Sequence, residues 1–138
     1  QHLAIQVPDI LNTVRHLRNS GIEFLYTPDN YYEDAPTRLE ERGVDMRAVK
    51  HTMADLQETG ILIDGSPPDR YLVQIFLKDA AGLYEDDSAG PFFYELIQRC
   101  GDSGFGEGNF KALFESIELD QIRRGVLDGQ AQDEKENA

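Results

Sequence analysis

The sequence of 138 residues predicts an α+β fold built on one mixed β-sheet. Short segments with the two-residue apolar alternation of strands are separated by segments whose apolar residues recur every three or four positions, as in helices. Glycine or proline follows most of these segments and marks their ends. The predicted order is strand, helix, strand, a helical excursion, three strands and a final helix.

Five strands are predicted from alternation and from β-branched or aromatic content. They cover residues 2–7, 24–27, 61–64, 71–78 and 92–98. A Gly-Ser-Pro-Pro-Asp sequence at 65–69 has turn composition and predicts that the third and fourth strands form a hairpin.

The predicted helices cover residues 10–20, 37–42, 48–59 and 110–124. The first ends before Gly21, and the last is amphipathic and ends at Gly125. Residues 79–91 form an acidic, glycine-containing segment that we expect to be a solvated loop. We therefore expect a domain at 1–125 and an acidic, disordered tail at 126–138.

The charge excludes several function classes. The chain has 13 basic and 26 acidic residues, a net charge of −13, which repels nucleic-acid phosphates and anionic membranes. No apolar stretch approaches the ~20 residues of a transmembrane helix.

Cys100 has no second cysteine to pair with, which favours a reducing cytoplasm. Because the chain begins with Gln1 and its first strand starts at once, we expect a piece of a larger polypeptide.

Alternation divides three of the strands into two faces. One face is aliphatic and is predicted to lie beneath helices; it comprises Leu3, Ile5, Val7, Val73, Ile75, Leu77, Phe92, Tyr94 and Leu96. The other face comprises His2, Gln6, Gln74, Phe76, Phe93, Glu95 and Ile97. Polar groups set among aromatic residues are typical of a ligand site.

His2 and Glu95 are the candidate metal ligands, because an imidazole and a carboxylate on adjacent strands can bind one cation. A non-haem Fe(II) site with two histidines and one carboxylate needs another histidine. His16 and His51 lie on predicted helices, where we expect surface or interhelix hydrogen bonds instead.

Structural interpretations of the same residues stay open at this point. His2 could be a hydrogen-bonded structural group, and Glu95 could form a salt bridge with Arg99 or Arg70. Gln74 could satisfy the backbone of a neighbouring strand. By pattern alone, Phe105 and Phe110 are ordinary core aromatics.

Longer motifs are more specific. Phe-Phe-Tyr-Glu-Leu-Ile-Gln-Arg at 92–99 and Gly-Phe-Gly-Glu-Gly-Asn-Phe-Lys-Ala-Leu-Phe-Glu at 104–115 follow Gln-His-Leu-Ala at 1–4 and Leu-Val-Gln-Ile-Phe at 72–76. Together they resemble the C-terminal part of the 4-hydroxyphenylpyruvate dioxygenases, up to Leu127. The resemblance implies a vicinal-oxygen-chelate fold, in which βαβββ modules pair into an open barrel around a metal. This chain would be one module, half of that barrel, with a C-terminal helix.

The resemblance implies an Fe(II)-dependent oxidation of 4-hydroxyphenylpyruvate by O₂ to homogentisate and CO₂, in tyrosine and phenylalanine catabolism. It makes His2 and Glu95 two of the iron ligands and places the other histidine in a preceding module. The isolated segment is therefore expected to be inactive. The implied partners are a small 2-oxoacid and O₂, with no nucleic acid and no membrane, in a homo-oligomeric cytoplasmic protein.

The resemblance also assigns substrate-site residues. Gln74, Phe93 and Asn109 are the implied catalytic residues, with Gln74 binding near the substrate and the iron. The implied substrate-binding set is Gln1, Gln74, Phe76, Phe93, Phe105, Asn109, Phe110 and Leu113, of which the last four form a gate over the substrate ring.

Two alternatives remain. A 4-hydroxymandelate synthase uses the same substrate and metal but hydroxylates the benzylic carbon. In the other alternative, the chain is a non-catalytic half-barrel binding module that pairs with itself, because a single βαβββ sheet has open edges.

Overall fold

The computed structural model describes residues 2–78 and 93–125. Its strands are β1 (His2–Gln6), β2 (Leu62–Ser66), β3 (Arg70–Phe76) and β4 (Phe93–Cys100), in the sheet order β1-β4-β3-β2. β1 runs parallel to β4, and the other two pairs are antiparallel. The α+β class, the βαβββ order and the β2–β3 hairpin are confirmed. The predicted loop at 79–91 and tail at 126–138 lie outside the described residues.

The helices are α1 (Ile10–Asn19), α2 (Asp29–Glu41), α3 (Met53–Thr59) and α4 (Glu107–Arg123), with a short 3-10 helix at Met46–Ala48. The Asp9 carboxylate accepts a hydrogen bond from the backbone N–H of Asn12 at the start of α1. Thr52 caps α3 in the same way, and Gly60 ends it in the left-handed region at φ 78°. Each helix in the described part of the chain is too short or too polar to cross a membrane.

The helices that lie between α1 and β2 differ from the prediction. α2 begins at Asp29 rather than at residue 37, and it contains Pro36. Tyr31, Tyr32 and Ala35 are buried, and their packing outweighs the hydrogen bond that a proline inside a helix removes. Of the helix predicted at 48–59, only the second half forms, because Thr52 caps a helix that begins at Met53.

The strand predicted at 24–27 is wrong as a regular strand. Phe24 forms a single antiparallel bridge with Leu77, and the Leu25 N–H donates to the Phe76 carbonyl at 2.9 Å. β2 extends along β3 only as far as the Leu62–Gln74 pair. The segment therefore occupies the position beside β3 beyond the end of β2, and Pro28 then turns the chain into α2.

The main core lies between the aliphatic face of the sheet and the helices α1 and α3. Ile10 and Val14 of α1 are fully buried, as is Val73 of β3. The prediction that the aliphatic residues of β1 are buried beneath helices is wrong in this chain, because Leu3 is 51% and Ile5 43% exposed. β1 is an edge strand, and it lies outside the area that the helices cover.

His51 connects the segment between α2 and α3 to Tyr71 of β3 in the sheet. Its Nδ1 lies 2.8 Å from the Tyr71 hydroxyl, which also accepts the backbone N–H of Lys50 at 3.1 Å. With the hydroxyl oxygen accepting from Lys50, its proton is available for an unprotonated Nδ1. Burial lowers the pKa of His51 below its usual value, although the charges of Asp9 and Asp55 oppose this shift.

We expect this contact to make stability pH-dependent. Since His51 is protonated more readily in the unfolded chain, its contribution is present above about pH 6.5 and is lost as the pH falls below that value. The free energy of unfolding should therefore fall more steeply for the wild-type protein than for His51→Asn, which keeps an acceptor but cannot titrate. Urea unfolding over a pH series measures this difference, and parallel pH profiles would contradict it.

Candidate functional site

Glu95 is a buried carboxylate at the centre of β4. It is 1% exposed and pairs with Phe76 of β3 and Ala4 of β1. Burial raises the pKa of Glu95 to about 7, with the charge of Arg99 opposing this shift and that of Glu107 adding to it. Ionising a carboxylate here costs free energy, and a bound cation would offset that cost.

The candidate partner His2 lies on the neighbouring strand. His2 pairs in register with Phe93, and Ala4 pairs with Glu95. The backbone of His2 is therefore one strand across and two residues along from Glu95. Among the side chains that the structure describes, which do not include that of His2, no three His, Cys, Asp or Glu groups lie closely enough together to hold a metal ion.

The arginines considered as salt-bridge partners of Glu95 have other hydrogen-bond acceptors. Arg99 donates to the Gly104 carbonyl at 3.1 Å and to Gln6 Oε1 at 2.9 Å, and its guanidinium lies over the ring of Phe105. Arg70 donates to the Pro67 carbonyl at 2.9 Å. Arg99 therefore acts on Glu95 through its charge and also holds the segment that precedes α4.

Gln74 connects Glu95 to the C-terminal helix. It is completely buried, and its Nε2 donates to Glu95 Oε1 and to the Phe105 carbonyl, both at 3.2 Å. Its Oε1 accepts from Asn109 Nδ2 at 3.0 Å. The backbone partner of the amide, Phe105, lies in the segment between β4 and α4 and not on a neighbouring strand, so that structural interpretation is wrong. The amide also contacts the candidate metal ligand.

The four residues implied to form the gate do not share one environment. Asn109 and Leu113 are buried, whereas Phe105 is 50% and Phe110 36% exposed. The interpretation of Phe105 and Phe110 as core aromatics is therefore wrong. α4 begins at Glu107, earlier than predicted, and its first turns direct Asn109 toward Gln74.

The start of α4 is held from the opposite side by Asp64 of β2. The Asp64 carboxylate accepts the N–H of Gly108 at 3.2 Å and forms an ion pair with Arg42, which ends α2. A carboxylate is favourable at a helix N-terminus because it faces unpaired backbone N–H groups. Sheet, α2 and α4 therefore meet at one charged contact.

An apolar pocket of about 400 Å³ lies on the face of the sheet that carries Glu95 and is lined in part by Phe76. It is lined by Leu25, Tyr26, Phe76, Leu77, Phe110, Leu113, Phe114 and Ile117. The rings of Phe76 and Phe110 are 4.9 Å apart, and Phe76 is the register partner of Glu95. One end of the site is thus aromatic and the other carries a carboxylate and an amide, which suits a small ligand with a ring and a polar end.

The sequence assigned part of this pocket. Phe76, Phe110 and Leu113 line it as implied, while Gln1 and the side chain of Phe93 lie outside the described part of the chain. Phe114 and Ile117 lie on the apolar face that helical spacing predicts for the last helix. Helical spacing locates such a face, but it does not tell a groove from a closed core.

Two polar residues were missed altogether. The Tyr31 hydroxyl lies 2.5 Å from Asn109 Oδ1, and Arg38 Nη2 donates to that hydroxyl at 3.1 Å. Both residues lie on α2, and Tyr31 precedes the start of the helix predicted at 37–42. The adjacent pair Tyr31 and Tyr32 is the one local feature that could have drawn attention to this segment.

Known proteins resemble this chain closely. No family model matches it. It is 50% identical to 4-hydroxyphenylpyruvate dioxygenase from Pseudomonas aeruginosa and 48% identical to hemolysin VllY from Vibrio vulnificus, in each case over 92% of this chain and 32% of the relative. A solved structure of a mutant 4-hydroxymandelate synthase from Streptomyces coelicolor matches with a TM-score of 0.60 and 40% identity, over 88% of this chain and 30% of that one.

The chain therefore spans about a third of the length of the curated relatives that it matches. The resemblance to the 4-hydroxyphenylpyruvate dioxygenases that the motifs indicated is confirmed. The match to a solved structure at 40% identity also supports the half-barrel module with a C-terminal helix.

Gly106 provides a test of how closely α4 must approach the sheet. Its φ is 69°, and a Cβ there would overlap Gln74 Oε1. Gly21 has a φ of 92° but would meet nothing within 4 Å. We expect Gly21→Ala to cost about 1–2 kcal/mol of stability through backbone strain alone. Gly106→Ala should cost more, because it also separates α4 from Gln74.

Denaturant unfolding of the two variants isolates the effect of that close approach, since both share the left-handed backbone. Equal losses of stability for Gly106→Ala and Gly21→Ala would show that the contact between Gly106 and Gln74 is not tight.

Proposed function

We propose that this chain, which is related over 92% of its length to the 4-hydroxyphenylpyruvate dioxygenases, forms part of the active site of such an enzyme. The reaction is the Fe(II)-dependent conversion of 4-hydroxyphenylpyruvate and O₂ to homogentisate and CO₂, in tyrosine and phenylalanine catabolism. The 50% identity to a dioxygenase of that name carries the proposal. The buried Glu95 beside an aromatic pocket supports it. We place the reaction in the cytoplasm.

His2 and Glu95 would hold the iron. A histidine and a carboxylate are two of the three ligands of a facial Fe(II) site, and a cation would stabilise the ionised form of the buried Glu95. The third ligand would be a histidine outside this chain, so that the isolated segment is inactive. When bound, Fe(II) would supply redox chemistry with O₂ and a Lewis acid for the 2-oxoacid.

The chain's own residues would bind and orient the substrate. Phe76, Phe110 and Leu113 line the pocket and would pack against the ring, with Phe93 beside them and Phe105 at the exposed start of the gate. Gln74 would hold the Glu95 carboxylate near the 2-oxoacid end through its amide N–H, and Asn109 would hold that amide in place. Gln1 would line the same pocket.

The edge of the sheet supports association with further protein. β1 is an edge strand whose Leu3 and Ile5 are exposed, and an uncovered apolar edge of this kind favours pairing with a second module. We propose that the whole protein is a homo-oligomer, and that its reacting partners are a small 2-oxoacid and O₂.

Removing either proposed ligand should abolish turnover. In a polypeptide of the relatives' length that carries this chain, we expect His2→Ala and Glu95→Ala to reduce homogentisate formation by more than about 100-fold, beyond the usual effect of removing an outer-shell group. His16→Ala is the matched control, because His16 is an exposed residue of α1. Product chromatography and Fe(II) titration measure the outcome, and retained turnover would contradict the ligand assignment.

A 4-hydroxymandelate synthase is the second candidate, favoured by the 40% identity to a solved mutant of that enzyme. It would consume the same substrate but give a benzylic alcohol instead of a ring-hydroxylated acid. We expect homogentisate from the wild-type protein. Mass spectrometry and retention time separate the two products, and 4-hydroxymandelate as the main product would reverse the assignment.

A further inference from the structure

The Tyr31 hydroxyl lies where α2, α4 and the edge of the sheet meet. Tyr31 is 1% exposed, and its oxygen accepts the backbone N–H of Ile63 at 2.9 Å and Arg38 Nη2 at 3.1 Å. The same hydroxyl is 2.5 Å from Asn109 Oδ1 and 3.0 Å from the Ile63 carbonyl. It therefore has two donors and two possible acceptors around it.

A hydroxyl has a single hydrogen, so it can donate to only one of those acceptors. The Ile63 carbonyl already accepts Arg38 Nη2 at 2.9 Å. Asn109 Oδ1 is the shorter contact of the hydroxyl, at 2.5 Å. The Tyr31 oxygen already accepts from Ile63 and Arg38, so the hydroxyl must donate, and the shorter contact assigns its proton to Asn109 Oδ1. Arg38 Nη2 also lies 3.5 Å from Asn109 Oδ1, and a guanidinium can donate but cannot accept.

The direction of the hydrogen bond from Tyr31 also sets the orientation of two side-chain amides, those of Asn109 and Gln74. With Oδ1 of Asn109 accepting from Tyr31, its Nδ2 must face Gln74, where it donates to Oε1 at 3.0 Å. With Oε1 of Gln74 accepting, its Nε2 must face Glu95 and the Phe105 carbonyl, and it donates to both at 3.2 Å. Reversing either amide would place donor against donor at one end and acceptor against acceptor at the other.

We propose that Tyr31 and Arg38 are positioning residues that fix the orientation of Asn109 and Gln74, so that an amide N–H, and not a carbonyl oxygen, faces Glu95. This amide relay, defined as Arg38, Tyr31, Asn109, Gln74 and Glu95, rests on the proposed function for its metal-binding end. The permanent charge of Arg38 at one end determines how the carboxylate at the other end is held.

Because the two amides of the relay are buried, a change in their orientation would alter the contact with Glu95. Asn109 and Gln74 are completely buried, so that water cannot replace a misdirected hydrogen bond. A Gln74 amide in the reversed orientation would present its oxygen to the Glu95 carboxylate and repel it. Outer groups that orient a metal ligand commonly affect metal affinity by about 10–100-fold.

The test uses a polypeptide of the relatives' length that carries this chain, with Co(II) as the probe metal. We expect Tyr31→Phe to weaken Co(II) binding about 10-fold and to change the visible absorption of bound Co(II), because Glu95 is no longer held in one orientation. Arg38→Met should act in the same sense, and Arg38→Lys should restore most of the affinity, since an ammonium also only donates.

Tyr32→Phe is the matched control, because Tyr32 is the adjacent buried tyrosine and packs edge-on against Tyr31 at 5.0 Å. It should leave Co(II) affinity and absorption at wild-type values. A second control repeats Tyr31→Phe in a Gln74→Leu protein, where the relay is already interrupted. There Tyr31→Phe should have no further effect on Co(II) affinity, whereas a purely structural role would give additive losses.

Tyr31 also accepts a hydrogen bond from the backbone of β2, so the Tyr31→Phe protein could fail to fold. In that case the comparison of Arg38→Met with Arg38→Lys tests the proposal, because Arg38 is only partly buried. Wild-type Co(II) affinity in Tyr31→Phe or Arg38→Met would overturn the proposal. A wild-type protein that binds Co(II) but makes no homogentisate would refute the proposed function and leave the relay to be judged by affinity. A wild-type protein that binds no Co(II) would refute both.

Discussion

The hydrogen bond between Asn109 and Gln74 is the contact on which the rest of the site depends. Both amides are completely buried, and an unpaired buried amide costs about 1–3 kcal/mol. Each therefore requires the other, and the C-terminal helix can cover the sheet only in the position where the two meet. Gly106 permits that approach because it has no side chain to collide with Gln74. The aromatic pocket beneath Phe110 exists because this contact sets the distance between helix and strand.

Local pattern predicted most of the sheet. β1, β3 and β4 follow from two-residue alternation, and the hairpin follows from turn residues between two such segments. The errors fall where long-range packing determines the structure. α2 passes through Pro36 because buried tyrosines hold its first turns, and no property of the segment by itself reveals that burial. The segment at Phe24 has strand composition, but it forms only a single bridge, with Leu77 just after the end of β3.

The candidate site likewise contains residues that local pattern identifies and residues that only long-range packing places there. Gln74 and Glu95 could be identified because strand alternation places chemically distinctive residues on one face, and that phase is independent of the rest of the fold. Tyr31 and Arg38 reach the site from a helix, and Tyr31 contacts Asn109 across 78 positions of sequence. Such a contact has no local signature. The exposure of Leu3 and Ile5 was missed for a related reason, because alternation shows which residues share a face but not how far the covering helices extend.

The parallel pairing of β1 with β4 has a consequence for the synthesis of the chain. The partners of His2 to Gln6 are Phe93 to Ile97, so that the first strand made joins the last strand of the sheet. During translation, β1 leaves the ribosome long before β4 exists and cannot complete its ladder. Contacts this distant in sequence make folding slow, and an unpaired apolar strand is open to association with other chains in the interval. Until β4 emerges, β1 therefore remains an edge whose backbone N–H and C=O groups have no strand to pair with.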